Sequence, residues 1–201
     1  MSLRALALSC TLKRDGEESS TDLLLCRMLA AFEAHDVEGS LVRVVDHDVR
    51  PGVTSDEGDG DEWPAIRSQV LAADIVILGT PIWLGSPSSV CRRVLERFDA
   101  FLGETDDRGR VVTYDRVAVV GAVGNEDGAH HVAAELYQAL ADVGFTIPAS
   151  AQAYWVGEAL GSIDYKDLDP PPDSVASSMA DVARNASHLA QLLKDSPYPA
   201  G

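Results

Sequence analysis

The sequence predicts a doubly wound α/β domain, a three-layer α/β/α sandwich around a parallel sheet of five strands. Two observations predict this fold. Short apolar runs, typical of strands buried on both faces, alternate with segments whose apolar residues recur every three or four positions, typical of amphipathic helices. The alternation continues through one unit of 201 residues, so we expect a single domain over residues 1–201.

The first part of the chain contains two strands and two helices. The apolar runs at 3–9 and 41–45 predict the first two strands. The helix between them has an apolar stripe at the spacing i, i+3, i+4, i+7, formed by Leu25, Met28, Leu29 and Phe32. The segment 46–62, called the acidic loop below, is rich in acidic residues and Gly. A short helix over 64–73 follows, and its first turn tolerates the initial Pro.

Three more strands and three more helices follow. The apolar runs at 74–79 and 116–123 predict the third and fourth strands, and a weaker run at 145–151 predicts the fifth. A helix that starts near Ser86 carries the stripe Val90, Val94, Phe98 and Leu102. The fourth helix, with Gly144 as its C-terminal cap, carries the stripe Val132, Leu136, Leu140 and Val143. The last helix carries the stripe Val175, Met179, Val182, Ala186 and Leu189.

Charge and cysteine content exclude several classes of protein. The formal net charge is −16, which argues against nucleic acid or an anionic membrane as the main partner. No apolar segment has the length of a signal peptide or of a membrane span. Cys10, Cys26 and Cys91 lie far apart and predict neither a disulfide framework nor a metal site. We therefore expect a cytoplasmic protein with reduced thiols.

Hydroxyl side chains surround the end of the first strand and the start of the first helix. Ser9 and Thr11 lie at the strand end, and Ser19, Ser20 and Thr21 open the helix. Hydroxyls and unpaired backbone N–H groups at a helix N-terminus form an anion site, which predicts phosphate binding. The alternative is ordinary capping of the helix by Ser20 or Thr21, which needs no ligand.

The third and fourth strands also end in segments suited to a ligand. The segment 81–86 places Trp83 between Pro and Gly at the mouth of the sheet, where a flat heteroaromatic ligand would cover the indole. A subunit interface or packing under a loop is the alternative. The segment 123–128 contains Gly124, Asn125 and Gly128, which permit close approach of the backbone; a sharp turn into the next helix needs the same residues.

One ligand would contact all three segments. In a parallel sheet of order 2-1-3-4-5, strands 1, 3 and 4 are neighbours, and ligands bind at the carboxyl ends beside the switch between strands 1 and 3. The first segment supplies phosphate donors and the other two supply an aromatic ring and backbone contacts. This combination predicts a phosphorylated flat ring such as FMN.

On these segments the sequence resembles the flavodoxin-fold NAD(P)H-dependent FMN reductase family, which includes flavin, quinone and azo-dye reductases. Ser9 to Thr21 resembles the family's phosphate loop, Pro81 to Ser86 its Pro-x-aromatic-x-Gly-Ser segment, and Val123 to Gly128 its Gly-rich loop. Two positions depart from the pattern. Leu8 to Lys13 replaces the frequent Gly-Ser-Pro-Arg, and Trp83 replaces a frequent Tyr.

The resemblance implies a flavodoxin-like fold and an enzyme that binds FMN, takes electrons from NADPH or NADH, and reduces a flavin, a quinone or a related small-molecule acceptor. It also implies a homodimer or homotetramer. The flavin carries the chemistry, so no catalytic side chain and no metal are expected. The residues expected to bind the cofactor are Ser9, Thr11, Lys13, Ser19, Ser20, Thr21, Pro81, Ile82, Trp83, Leu84, Gly85, Ser86, Val123, Gly124, Asn125, Glu126 and Gly128.

The alternative function is a non-enzymatic electron carrier of the flavodoxin type, which would bind the same cofactor and dock on a protein partner. The net charge of −16 suits docking on a basic partner. Consumption of NADPH by the protein alone would distinguish the enzyme from the carrier.

Overall fold

A sheet of five parallel strands forms the middle layer of the computed structural model, which describes residues 2–200. Its strands are β1 Leu3–Ser9, β2 Val37–Arg43, β3 Ile75–Trp83, β5 Val117–Gly124 and β6 Gln152–Val156. They are arranged in the order β2-β1-β3-β5-β6, and the two-residue strand β4, Ser86–Pro87, pairs antiparallel with the end of β3. Among the parallel strands this order is 2-1-3-4-5, which confirms the predicted three-layer, flavodoxin-like fold.

Five helices cover the two faces of the sheet. They are α1 Ser20–Glu33, α2 Trp63–Ala72, α3 Ser89–Phe98, α4 Ala129–Asp142 and α5 Asp173–Asp195. One apolar core packs α1 and α5 against one face, and the other packs α2, α3 and α4 against the opposite face. Within residues 2–200, no helix has both the length and the apolar character needed to cross a membrane.

The strands present different side chains to the two faces of the sheet. In β1, Leu6 and Leu8 point into the core of α2, α3 and α4, whereas Ala5 and Ala7 point toward α1. A Cβ at Gly79 in the neighbouring strand would lie 2.5 Å from the Leu25 side chain. Small residues on this face therefore let α1 pack closely on the sheet beside the end of β1.

Two predicted strands are displaced in the structure. The predicted fifth strand, 145–151, is wrong: in that segment Thr146 forms an isolated bridge with Val117, and the strand itself is β6, Gln152–Val156. Phe145 is buried in the core, so its apolar signal reflects packing of an irregular segment rather than a strand. The predicted second strand, 41–45, begins four residues earlier, at Val37. Residues 38–40, just after Val37, are exposed and not apolar, so the start of this strand contains no apolar run.

The observed ends of the helices differ in part from the predicted ones. The N-terminal cap of α1 is Ser19, rather than Ser20 or Thr21, and its hydroxyl accepts a hydrogen bond from the Asp22 N–H at 3.2 Å. Helix α3 begins at Ser89, later than predicted. Leu102, expected on its buried stripe, is 52% exposed in a short 3-10 turn. Gly144 follows the end of α4 with φ of 98°, which confirms its predicted role as a cap.

Arg97 of α3 attaches the acidic loop to the body of the protein. Its guanidinium forms a fully buried ion pair with Asp61 at 2.8 Å. It also donates hydrogen bonds of 3.0 Å to the carbonyls of Arg50 and Thr54, and it lies 5.5 Å from the centre of the Trp63 ring. A single buried cation, Arg97, thus attaches the acidic loop to α3.

The Asp61 carboxylate is strongly stabilised in its charged form. Burial raises its pKa, but hydrogen bonds from Arg97 and from the N–H groups of Glu57, Trp63 and Arg50 outweigh burial and hold the pKa at about 2. An unfolded Asp has a pKa of about 3.9. The stabilisation is therefore complete above that value and is lost as the pH falls toward 2.

We predict that Arg97→Met lowers the free energy of unfolding by about 3–5 kcal/mol, because it leaves the buried Asp61 charge without its cationic partner. Denaturant unfolding at neutral pH measures the loss. The matched control is Arg184→Met, which removes an exposed ion pair with Asp181 and should cost less than about 1 kcal/mol. Equal losses in the two variants would show that the buried pair has no special role.

Candidate functional site

A cleft opens at the carboxyl ends of β1, β3, β5 and β6, beside the point where the chain changes direction between β1 and β3. The loop between β1 and α1 forms one side, and the ends of β3, β5 and β6 form the other. The lining residues are Thr11, Leu12, Lys13, Glu18, Ser19, Ser20, Thr21, Pro81, Ile82, Trp83, Val123, Gly124, Asn125, Trp155, Asp164, Tyr165 and Lys166.

The hydroxyl of Thr11 is free to donate into the cleft. Its oxygen accepts hydrogen bonds from the Ser19 hydroxyl at 3.0 Å and from the Lys13 N–H at 3.1 Å. Because a hydroxyl oxygen has two lone pairs, these contacts use its acceptor capacity and leave its proton unpaired. Ser19 differs, since its proton goes to Thr11 and its oxygen caps the helix through the Asp22 N–H. Thr11 therefore has a proton available for a ligand, and Ser19 holds its hydroxyl in place.

The first turn of α1 adds further donors. The hydroxyl oxygen of Ser20 accepts from the Lys166 N–H at 3.1 Å, which leaves its proton free. The Thr21 hydroxyl makes no hydrogen bond within residues 2–200, although the residue is 2% exposed. The N–H groups at the start of a helix have no intrahelical acceptor, and the helix dipole favours a negative charge there. This arrangement fits a phosphate group.

A carboxylate next to these donors is neutralised by the protein itself. Asp22 lies in the first turn of α1, where it would repel an anion. One of its oxygens accepts from the Ser9 hydroxyl and the other pairs with the Arg43 guanidinium at the end of β2. Arg43 also donates to the carbonyls of Arg14 and Glu17, so it holds the loop before α1 as well. Ser9 therefore acts beneath the cleft rather than in its lining.

The aromatic wall of the cleft begins with Trp83 at the end of β3, whose residue is 55% exposed. Trp83 pairs with Ser86 across the β3–β4 hairpin. The hairpin turn consists of Leu84 and Gly85, both at positive φ, and Leu84 is 94% exposed. The Leu84 N–H donates to the Glu126 carboxylate at 2.6 Å, which ties the hairpin to the loop after β5.

Gly128 shows how closely the two loops approach each other. A Cβ at this position would lie 2.8 Å from the Gly85 Cα, and the residue has φ of 123°. Five of the predicted site residues therefore lie behind the aromatic wall and support it without lining the cleft: Leu84, Gly85, Ser86, Glu126 and Gly128.

The loop after β6 closes the cleft on its far side. The Asn125 side chain donates to the Asp164 carboxylate at 2.9 Å. Tyr165 is fully buried; the centre of its ring lies 5.7 Å from that of Trp155 and 5.0 Å from the Arg27 guanidinium. These contacts place the 3-10 turn Tyr165–Asp167 against the start of α1.

Lys166 is the cation that this turn brings to the cleft. Its ammonium lies 3.2 Å from the Asp167 carboxylate and 3.6 Å from that of Glu18. The hydrogen bond and charge of Asp167, with smaller contributions from Glu18 and Asp164, raise the pKa of Lys166. The side chain is therefore charged, and the backbone N–H of the same residue contacts the Ser20 hydroxyl at the start of α1.

The structure brings most of the predicted site residues together. Those that line the cleft are Thr11, Lys13, Ser19, Ser20, Thr21, Pro81, Ile82, Trp83, Val123, Gly124 and Asn125. The residues that sequence reasoning missed are Leu12, Glu18, Trp155, Asp164, Tyr165 and Lys166. Placing the fifth strand at 152–156 would have put Trp155 at its carboxyl end. No motif marks the turn at 165–167. Within residues 2–200, no group of three or more metal-ligating side chains is placed to hold a metal ion.

Comparison with known proteins identifies the family of this chain. The model of the family described as NADPH-dependent FMN reductase matches residues 3–160. A Streptomyces davaonensis protein named 8-demethyl-8-aminoriboflavin-5'-phosphate synthase is 34% identical over an alignment 211 positions long, gaps included, that covers 98% of this chain and 81% of that protein. The solved structure of RosB with bound 8-demethyl-8-formylriboflavin-5'-phosphate aligns with a TM-score of 0.87 and 32% identity, covering 98% of this chain and 82% of that one.

A third relative is much longer than this chain. A Mycobacterium bovis protein named divalent metal cation transporter MntH is 39% identical over 199 residues, which cover 96% of this chain and 29% of that protein. This chain thus spans less than a third of that relative's length.

The family match confirms the predicted resemblance. At the level of the family it also confirms the predicted class of protein, which is an FMN-binding oxidoreductase that uses NAD(P)H. The match covers most of the chain, and the relative that is 34% identical is matched over 81% of its own length. This chain therefore belongs to the NADPH-dependent FMN reductase family.

Proposed function

We propose that this chain takes electrons from NADPH or NADH and delivers them, with FMN bound in the cleft, to a flavin, a quinone or a related small-molecule acceptor. The observation that carries the proposal is the pairing of two features in one cleft. Free hydroxyl protons of Thr11 and Ser20 lie beside a helix N-terminus, and Trp83 and Trp155 provide aromatic surface among the lining residues.

The phosphate of FMN would be held by Thr11, Ser20, Thr21 and the first N–H groups of α1. These groups fit an anion because their protons are unpaired and the nearby Asp22 carboxylate is already neutralised. Ser9 and Ser19 keep the donors in place. Of the five hydroxyls predicted to bind the phosphate, Thr11, Ser20 and Thr21 would thus act as donors, and Ser9 and Ser19 as their supports.

The ring of FMN would lie beside Trp83, with the backbone of Gly124 and Asn125 near its polar edge. When bound, FMN would supply the chemistry for hydride acceptance and electron transfer. The residues of the cleft bind and orient the ring and exclude water from one of its faces. No side-chain acid or base is required, so we assign no catalytic residue.

A second candidate is suggested by the Streptomyces davaonensis relative and the RosB structure, which share more than 30% identity with this chain over most of both lengths. One is named for the synthesis of an aminoriboflavin 5'-phosphate, and the other was solved with a formylriboflavin 5'-phosphate. In this case a riboflavin 5'-phosphate would be the substrate, altered on its ring, rather than a resident cofactor. The same phosphate and ring contacts would serve both functions.

We also propose that the chain forms a homodimer or homotetramer through the rim of the cleft. Exposed apolar side chains are concentrated there: Leu12, Trp83, Leu84, Val156, Leu160 and Ile163. A monomer rarely leaves so much apolar surface uncovered at one place.

The three cysteines are unpaired, which supports the cytoplasm as the compartment. Fractionation of the producing cells tests this location.

We expect FMN-loaded protein to oxidise NADPH or NADH in the presence of a quinone. The decrease of the reduced-nicotinamide absorbance measures the reaction, and protein without FMN is the control. Mass spectrometry of the extracted flavin distinguishes the second candidate, because a ring-modifying enzyme changes the mass of FMN. Protein that holds FMN but oxidises neither nicotinamide contradicts the proposal and favours an electron carrier.

Thr11→Val and Thr21→Val should each weaken FMN binding about 10- to 150-fold and riboflavin binding little, because riboflavin has no phosphate. A hydrogen bond to a charged group contributes about 1.5–3 kcal/mol, at about 1.4 kcal/mol per tenfold in affinity. Fluorescence titration measures both ligands. Ser19→Ala is the control for capping: it should lower stability by about 0.5–2 kcal/mol. Equal losses for both flavins in the Thr variants would move the phosphate elsewhere.

We expect sedimentation velocity at micromolar concentration to show a dimer or tetramer. Leu84→Asp should shift the population toward monomer, because it places a charge on the most exposed apolar residue of the hairpin. The matched control is Leu192→Asp, an exposed position on α5 away from the cleft. A wild-type monomer, or equal dissociation by both variants, would contradict the proposed interface.

A further inference from the structure

A cation close to the phosphate site described above would strengthen it, and few are available. The protein has a net charge of −16, so a positive charge within a few ångströms of the phosphate would offset the carboxylates nearby. Among the lining residues of the cleft, the basic side chains are Lys13 and Lys166. Arg14 does not line the cleft; its carbonyl is held from below by Arg43.

Lys13 is poorly placed for this role. Its side chain is 58% exposed, and its ammonium lies 3.8 Å from the Glu17 carboxylate, which is also exposed. Exposed pairs of this kind are worth little and hold neither partner in one position.

Lys166 is better ordered and directly coupled to the phosphate donors. Its side chain is 31% exposed, and its backbone N–H binds the Ser20 hydroxyl at 3.1 Å. The preceding residue, Tyr165, is fully buried and anchors the turn between Trp155 and Arg27. The ammonium is therefore carried by a turn whose backbone is fixed to the first residue of α1.

The Lys166 ammonium also has a partner that a ligand would replace. The Glu18 carboxylate, 3.6 Å away, is 86% exposed and lines the same cleft. A phosphate placed on the hydroxyls of α1 would compete with this exposed carboxylate for the ammonium, while Asp167 stays in contact at 3.2 Å. The Lys166 ammonium is thus in place before the ligand binds. Breaking its exposed ion pair with Glu18 costs little free energy.

We propose that Lys166, which lies beyond the family match that ends at residue 160, is the cation of the phosphate site and makes the cleft selective for 5'-phosphorylated flavins. This inference rests on the proposed function. It adds the turn Tyr165–Asp167 to a phosphate site that the sequence placed only in the loop before α1. Glu18 has the opposite role, since it competes with the phosphate for the same ammonium.

The three lysines of the chain provide a matched experiment. Lys166→Gln, Lys13→Gln and Lys194→Gln each remove one positive charge, so each changes the net charge equally. Lys194 pairs with Asp74 at 3.1 Å, and neither residue lines the cleft. Dissociation constants for FMN and riboflavin are measured for each purified full-length variant, and thermal unfolding confirms that each is folded.

We expect Lys166→Gln to weaken FMN binding about tenfold and to leave riboflavin binding unchanged. Lys166→Arg should retain most of the preference for FMN, and Lys194→Gln should retain all of it. Glu18→Gln should tighten FMN binding without affecting riboflavin, which a purely structural role of the turn would not produce.

Other outcomes overturn the inference in distinct ways. A loss confined to Lys13→Gln would assign the cation to Lys13. Equal losses in all three variants would mean that only net charge matters. Equal losses for FMN and riboflavin in Lys166→Gln would make the lysine structural. A wild-type protein that binds FMN no better than riboflavin would instead refute the phosphate site of the proposed function itself.

Discussion

The contact between Asp22 and Arg43 is the interaction on which the candidate site depends. Asp22 places a negative charge in the first turn of α1, where an anionic ligand would otherwise be repelled. Arg43 pairs with this carboxylate and at the same time binds two carbonyls of the loop before α1. Since Ser9 takes the second carboxylate oxygen, the free hydroxyls of the cleft face a ligand without a competing acceptor beneath them.

This arrangement explains how an acidic protein can hold an anion. Charges more than about 8 Å apart are largely screened at physiological ionic strength, so the net charge matters less than the groups within a few ångströms. The acidic loop is tied down separately by Arg97, at the α2–α3 side of the sheet. Most acidic residues thus lie outside the cleft, and the two that enter it, Glu18 and Asp164, are each paired with a donor.

The sequence predicted the sheet well because parallel strands buried on both faces leave continuous apolar runs, as 3–9 and 74–79 show. It failed at β6, an edge strand with the half-buried residues Tyr154 and Trp155, because the irregular segment before it contains buried Phe145 and gave a competing apolar signal. The loop before α1 was recognised from its hydroxyls, but their division into donors and supports depends on hydrogen bonds that only the folded chain reveals. Lys166 reaches the cleft through tertiary packing, which no local pattern encodes.

The hydrogen bond between the Lys166 N–H and the Ser20 hydroxyl joins residues 146 positions apart in the chain. A protein made from its N-terminus exposes the loop before α1 early, but the opposite side of the site emerges only after most of the chain has been synthesised. Contacts of such long sequence separation also form late in folding. A flavin that uses both sides of this site would therefore enter a nearly finished fold, and its binding would slow unfolding rather than accelerate folding.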